Sequence, residues 1–149
     1  MTAVHLISLG RKLSNAYAGL CLPICRKYGI NQTCFDILLF CANNPAYNTA
    51  RDIGQMRGIK SGMASVAIET LIENGYLLRT SDERDRRKQR LVLTEKAASA
   101  VSDGQAMQAF FTATLTEGVT DEEIAAFFRL TEKLEKNLTQ FRQKEAPSC

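Results

Sequence analysis

The chain has 149 residues, 45% of them hydrophobic and 23% charged, with 19 Lys and Arg against 16 Asp and Glu. This length fits one domain, or one small domain with helical extensions, and the balance excludes a disordered chain. No apolar run approaches the roughly 20 residues that span a bilayer, and the basic pair Arg11-Lys12 follows the apolar start, the wrong order for a secretory signal; the expected location is the cytoplasm, with no membrane partner.

Leu6, Leu9, Leu13, Ala16 and Leu20 recur every three or four residues and predict an amphipathic helix. Pro23 interrupts it, so a kink or a change of direction is expected there. Tyr17, Cys21, Cys25 and Tyr28 form a second stripe, read as core packing. Gly29 and Asn31 supply a stop and a new cap for a second helix near Gln32 to Asn43, with Phe35, Leu38, Leu39 and Ala42 turned inward. Asn43-Asn44-Pro45 ends it, because a residue before proline avoids the helical region. Thr49 to Asp52 match a capping box and open a short third helix whose inner face holds Ile53 and Met56, with Gly58 as the turn residue after it. A fourth helix is expected from Lys60 to Asn74, with Ala64, Ala67, Ile68 and Leu71 inside and Gly75 as a left-handed terminator. Two helices joined by a short Gly-containing turn make a helix-turn-helix.

Charge is concentrated just beyond it. Arg79 to Arg90 hold six basic and three acidic residues, and the 19 and 16 of the whole chain less these leave 13 of each sign elsewhere. The entire net charge of +3 therefore sits in one short segment. Leu77-Leu78 before it and Arg90 to Leu93 after it read as two strands of a hairpin with a polar tip. Thr94 is expected to cap a fifth helix carrying Ala97, Ala98, Val101, Phe110, Phe111 and Leu115, with a soft spot near Gly104. Thr120 to Glu123 form another capping box. The last helix then spaces Ile124, Phe127, Thr131, Leu134, Leu138 and Phe141 as a coiled-coil-like seam, with Glu132 and Lys136 as an i,i+4 pair. The fold class is mainly α with a small β-hairpin wing: a winged helix-turn-helix flanked by helical elements.

Other chemistries find little footing. Five cysteines, an odd number in helical surroundings, do not form a disulfide framework and fit a reducing compartment. A single His and no Cys-x-x-Cys exclude a structural zinc site. No nucleophile–base pair and no Gly-rich phosphate loop is visible, so neither an enzyme nor a cofactor is expected.

Asp82-Glu83-Arg84-Asp85-Arg86-Arg87, followed by Leu91-Val92-Leu93-Thr94-Glu95-Lys96, resembles the wing and returning strand of the MarR (multiple antibiotic resistance regulator) family. Leu71 to Gly75 resembles the leucine-to-glycine end of that family's recognition helix, and Gly29-Ile30 also fits. The resemblance implies a homodimeric regulator, usually a repressor, that binds a roughly palindromic double-stranded operator and often releases it on binding a small effector. It implies dimerisation helices at 1–28 and 96–149 around a DNA-binding winged helix-turn-helix at 29–95.

The recognition helix should meet base edges in the major groove with Lys60, Ser61, Gly62 and Ser65. In the wing, Arg86 and Arg87 should enter the minor groove, Asp85 should orient a neighbouring Arg, and Arg84 should contact phosphate, as should Arg51 and Arg57. Val66 stands where many members carry an Arg, which shifts the expected specificity toward shape readout through the wing. An effector pocket is expected around Tyr17, Cys21, Phe35 and Phe40, although core packing competes for each. A thiol-based redox sensor using Cys21 or Cys25 is the alternative; in the peroxide-sensing branch the reactive Cys lies early in the first helix, where alignment puts Ile7.

Overall fold

The chain divides into two units, Met1–Thr112 and Ala113–Cys149, and the computed structural model describes residues 2–81, 85 and 88–141, with Phe141 by its backbone alone. The first unit opens with α1 (Ala3–Tyr28), whose leading N–H groups are capped by the Thr2 hydroxyl, which accepts the His5 N–H at 3.3 Å. The helix runs unbroken through Pro23, so the expected interruption is absent. Proline removes the N–H that the Gly19 carbonyl would accept, and Gly19 is exposed, where water can take its place. Gly29, with φ of 65°, ends the helix in the left-handed conformation that a side chain would strain.

Among the described residues, the second stripe of α1 is the better covered, and the first is covered only toward Leu20. Cys21 and Cys25 are buried, and Tyr17 and Tyr28 pack partly against the core, as expected. Leu6 and Leu9, on the other stripe, lie open.

Asn31 begins α2 (Gln32–Asn43), its side-chain oxygen accepting the Cys34 N–H at 2.8 Å. Besides the expected Phe35, Leu38 and Leu39, this helix buries Cys34, Ile37, Phe40 and Cys41. It is enclosed on most of its circumference because α1 and the next two helices pack around it, as does the second strand. Gly104 lets a further helix approach it, since a Cβ there would stand 2.5 Å from Leu39 Cδ2 and 2.8 Å from Phe35 Cζ.

The reciprocal capping box of Thr49 and Asp52 opens α3 (Ala50–Arg57). Ile53 is fully buried there, whereas Met56, expected inside, is exposed. Gly58 turns the chain at φ of 63° into α4 (Ser61–Glu73), whose inner face is Ala64, Ala67, Ile68 and Leu71. Gly75, at φ of 74°, follows it and leads into an antiparallel hairpin, β1 (Leu77–Ser81) with β2 (Gln89–Leu93). Leu77 pairs with Leu93 and Ser81 with Gln89, and Leu77 and Leu91 point into the core.

Thr94 does not cap a helix with its side chain. Its hydroxyl donates instead to the Gly75 carbonyl at 2.6 Å, closing the base of the hairpin, and a 3-10 turn (Glu95–Ala97) precedes α5 (Ala98–Leu115). That helix is continuous through Gly104, so the expected soft spot is a buried contact point. Asp103 fastens α5 to α1, accepting from Lys27 Nζ at 2.7 Å and the Tyr28 hydroxyl at 2.8 Å.

The second unit is built on α6 (Asp121–Phe141), opened by the expected box: Thr120 N–H donates to Glu123 at 2.9 Å and Glu123 N–H to the Thr120 hydroxyl at 3.3 Å. Of the predicted seam, Ile124, Thr131 and Leu134 are partly covered while Phe127 and Leu138 lie open, and the Phe141 side chain falls outside the described residues.

Candidate nucleic-acid interface

Helix α4 has an apolar inner face and a small-residue outer one. Burial of Ala64, Ala67, Ile68 and Leu71 leaves Ser61, Gly62, Met63, Ser65, Val66 and Glu69 exposed. Lys60 occupies the N-cap position without a side-chain hydrogen bond to the helix, and Ser61 is the first helical residue rather than the cap. The four predicted contact residues, Lys60, Ser61, Gly62 and Ser65, are thus gathered and exposed at the start of one helix. Helix N-termini carry partial positive charge and unpaired N–H groups, which favour an anion nearby.

The hairpin is held against this helix. Arg79 on β1 forms a two-pronged ion pair with Glu69 on α4, and that contact keeps the Glu69 carboxyl below its usual range. Arg84, Arg86 and Arg87 lie outside the described residues. Asp85 is half-buried, and its carbonyl accepts the Lys88 N–H at 2.9 Å in the turn of the wing.

A residue that sequence reasoning missed ties the wing to α3. The Asn48 carbonyl accepts the Leu91 N–H at 2.8 Å, its amide donates to the Leu91 carbonyl at 3.1 Å, and its side-chain oxygen accepts from Arg90 at 3.0 Å. The segment before α3 therefore acts as a one-residue extension of the sheet. No composition or periodicity marks Asn48, because its role depends on where β2 arrives.

Between α3 and β2 opens a cleft of about 650 Å³ that brings Arg51, Lys88 and Arg90 together with Thr49 and Gln55. Arg51 was an expected phosphate contact; Lys88 and Arg90 were visible only as part of the charge run. Arg57 is placed elsewhere, its Nη2 3.1 Å from Asp36 Oδ2.

That pair belongs to a second, smaller site. Tyr17, Asp36, Phe40, Asn43, Arg57 and Gln108 line a cavity of about 80 Å³. Gln108 donates to the Tyr17 hydroxyl at 3.1 Å and accepts from Asn43 at 3.0 Å, and Gln105 donates to Asn43 at 2.9 Å. Burial pushes the Asp36 carboxyl up and Arg57 partly opposes it, while Asp36 Oδ1 accepts no hydrogen bond among the described residues. Burial likewise raises the Tyr17 phenol. Of the four expected pocket residues, Tyr17 and Phe40 reach this cavity, whereas Cys21 and Phe35 are wholly enclosed in the core.

The cysteine alternative finds no support in this geometry. Cys21 is 0% exposed and its thiol is pushed up to about 11, chiefly by burial; burial also raises Cys25. A reactive cysteine requires the opposite, a lowered pKa and partial exposure. Among the described residues, no group of His, Cys, Asp and Glu is placed to hold a metal ion, and no helix is long and apolar enough to cross a membrane.

Comparison with known proteins agrees with the geometry. The MarR family model matches residues 28–88, from the end of α1 to the wing. Among solved structures, the chain is similar to the transcriptional regulator PA3341, at 24% identity and a TM-score of 0.80, over 91% of this chain and 98% of that one. A MarR protein from Peptoclostridium difficile is similar at 23% identity and a TM-score of 0.77, over 97% and 94%. The Bordetella bronchiseptica protein BpsR, whose DNA binding is regulated by 6-hydroxynicotinic acid, is similar at 18% identity and a TM-score of 0.66, over 88% and 98%. These likenesses show the winged-helix fold.

Proposed function

We propose that the chain is a member of the MarR family of transcriptional regulators, whose model matches residues 28–88, and that it is a homodimeric, ligand-responsive repressor of a pseudo-palindromic operator. One observation carries the reading: α4, with its exposed first turns, is joined through the Arg79–Glu69 pair to a hairpin whose segment Arg79 to Arg90 holds the whole net charge of the chain. Lys60, Ser61, Gly62 and Ser65 are the proposed major-groove contacts. Arg51, with Arg84 in the wing, neutralises phosphate, and Arg86 and Arg87 enter the minor groove with Asp85 orienting one of them. Since Arg57 is paired with Asp36, we assign it to the effector cavity instead.

Uncovered apolar residues at both ends support the dimer. Leu6, Ile7 and Leu9 on α1 and Phe127, Phe128 and Leu138 on α6 are exposed, the last two at 62% each. Exposed apolar faces of this kind mark contact with a partner. Residues 1–28 and 96–149 are accordingly assigned to dimerisation, around the DNA-binding segment 29–95. The effector is assigned to the cavity of Tyr17, Phe40, Asp36 and Arg57. It is smaller than the roughly 300 Å³ of an ordinary ligand site, so binding must part Gln108 from Tyr17 and shift α5. The behaviour of BpsR supports regulation of this general kind.

The test is titration of duplex fragments selected from genomic DNA, followed by fluorescence anisotropy across a salt series, with light scattering for the oligomeric state. The expected result is a dimer whose log affinity falls linearly with log salt. Arg87→Ala should lower affinity severalfold and flatten that slope by about 0.9 for each phosphate no longer neutralised. A monomer, or a protein showing no salt-sensitive DNA binding, would refute the proposal.

A further inference from the structure

The outer surface of α4 contains no side chain able to make a two-pronged contact with a purine. From Ser61 to Glu73 there is no Arg, Lys, Asn or Gln. That face offers two serine hydroxyls, Ser61 and Ser65, and two large apolar side chains, Met63 and Val66, which are 57% and 68% exposed. Glu69, next along the same face, is already engaged by Arg79.

Met63 and Val66 are three residues apart on a helix, which makes them neighbours about 5–6 Å apart and separates them by about 4.5 Å along the axis. Base pairs stack at about 3.4 Å, so the two side chains match a step between adjacent pairs. The major groove displays one apolar group, the C5-methyl of thymine; its other markers are hydrogen-bond donors and acceptors. Covering a methyl group removes apolar surface from water on both partners.

We infer that Met63 and Val66 are specificity-determining residues that read the C5-methyl groups of neighbouring thymines. The inference rests on the reading of the chain as a DNA-binding regulator and says which bases its helix selects. The surroundings fix the occupant. Lys60 adjoins the apolar pair, and the α3–β2 cleft gathers Arg51, Lys88 and Arg90 with one acid, Asp52, that is already held in the Thr49 capping box, a setting that complements a polyanion and not the apolar patch of another protein. Sequence is then read on α4 by shape and methyl contact, with the serines adding hydrogen bonds that any base can satisfy.

The experiment uses the unmodified protein and duplexes selected from a random library. Each selected duplex is prepared twice, with thymine and with deoxyuracil, which pairs identically but lacks the methyl group. Affinity is measured by anisotropy at one salt concentration. The expected loss is about fourfold for each contacted methyl removed, concentrated at the major-groove positions of each half-site. Val66→Ala and Met63→Ala should each bind the two duplexes with a smaller difference than wild type; both positions are exposed, and circular dichroism checks that folding is intact. Equal wild-type affinity for the two duplexes overturns the inference while leaving the regulator reading in place. So does a thymine preference that persists undiminished in both variants, since it would then arise from duplex shape. Failure to bind any duplex overturns the regulator reading itself and this inference with it.

Discussion

Arg79 on β1 grips Glu69 on α4 with both arms of its guanidinium, Nη1 donating to Oε2 at 3.2 Å and Nη2 to Oε1. The pair joins the wing to the outer face of α4, and it neutralises an acid there that would repel phosphate on the proposed reading. Arg79→Ala should therefore weaken DNA binding in two ways, by removing a cation and by uncovering a carboxylate. Replacing Glu69 by Gln in that background should restore part of the loss, on the order of severalfold in affinity by anisotropy. If the double variant binds no better than Arg79→Ala alone, the arginine acts on DNA directly and the pair plays no screening role.

Asp36 gives a pH signature with a defined sign. Burial raises its carboxyl above the ordinary 3.8, and Arg57 opposes the shift. A carboxyl raised by folding binds its proton more tightly in the folded chain. Its stabilising contribution is complete below the unfolded value and is lost as pH rises through the folded one. At neutral pH the ionised group thus lowers stability. Asp36→Asn should raise Tm relative to wild type at pH 7, and by less at pH 4. A gain that is equal at both pH values would show that charge is not the cause.

The enclosed thiols should be unreactive in the native protein. In a Cys149→Ser variant, a thiol-exchange reagent at pH 8 should modify Cys21, Cys25, Cys34 and Cys41 only after addition of denaturant, because all four are buried and raised. Mild peroxide should leave DNA binding unchanged. Rapid native labelling at Cys21 or Cys25, with loss of binding, would revive the redox reading.

Gly104→Ala tests the closest approach between α5 and α2. A methyl group there would overlap the side chains of Leu39 and Phe35, which would have to shift, and overpacking of this kind costs roughly 1–3 kcal/mol. Chemical denaturation should show a lower midpoint. An unchanged midpoint would mean that α5 can move away without loss.

Caps and charge are the legible part of this fold. Thr49, Asn31 and Thr120 act through neighbours three residues away, so their roles are written locally, and the hairpin follows from polar residues between two apolar runs. Thr94 departs from its expected role because its partner, the Gly75 carbonyl, lies 19 residues back along the chain. The stripes of α1 are both visible, but periodicity alone does not say which one the same chain covers. Gly104 reads as a weak helix former by propensity, and only the neighbouring Leu39 and Phe35 reveal it as a point of contact. In the candidate site, the exposed turn of α4 is foreseeable from spacing. The Asp36–Arg57 pair is not, since both residues look like ordinary surface charges on their own helices.

Asn48 has a consequence for how a duplex is met. Its backbone and side chain are laced into β2 at Leu91 and Arg90, and one residue later the chain starts α3, on which α4 is packed. These contacts join the hairpin to the helix pair. On the proposed reading of the chain as a duplex binder, helix and hairpin would meet their grooves together, with little orientational freedom left to be lost on contact. Discrimination would then be by fit, since a site whose grooves are spaced wrongly would pull one element away from the other.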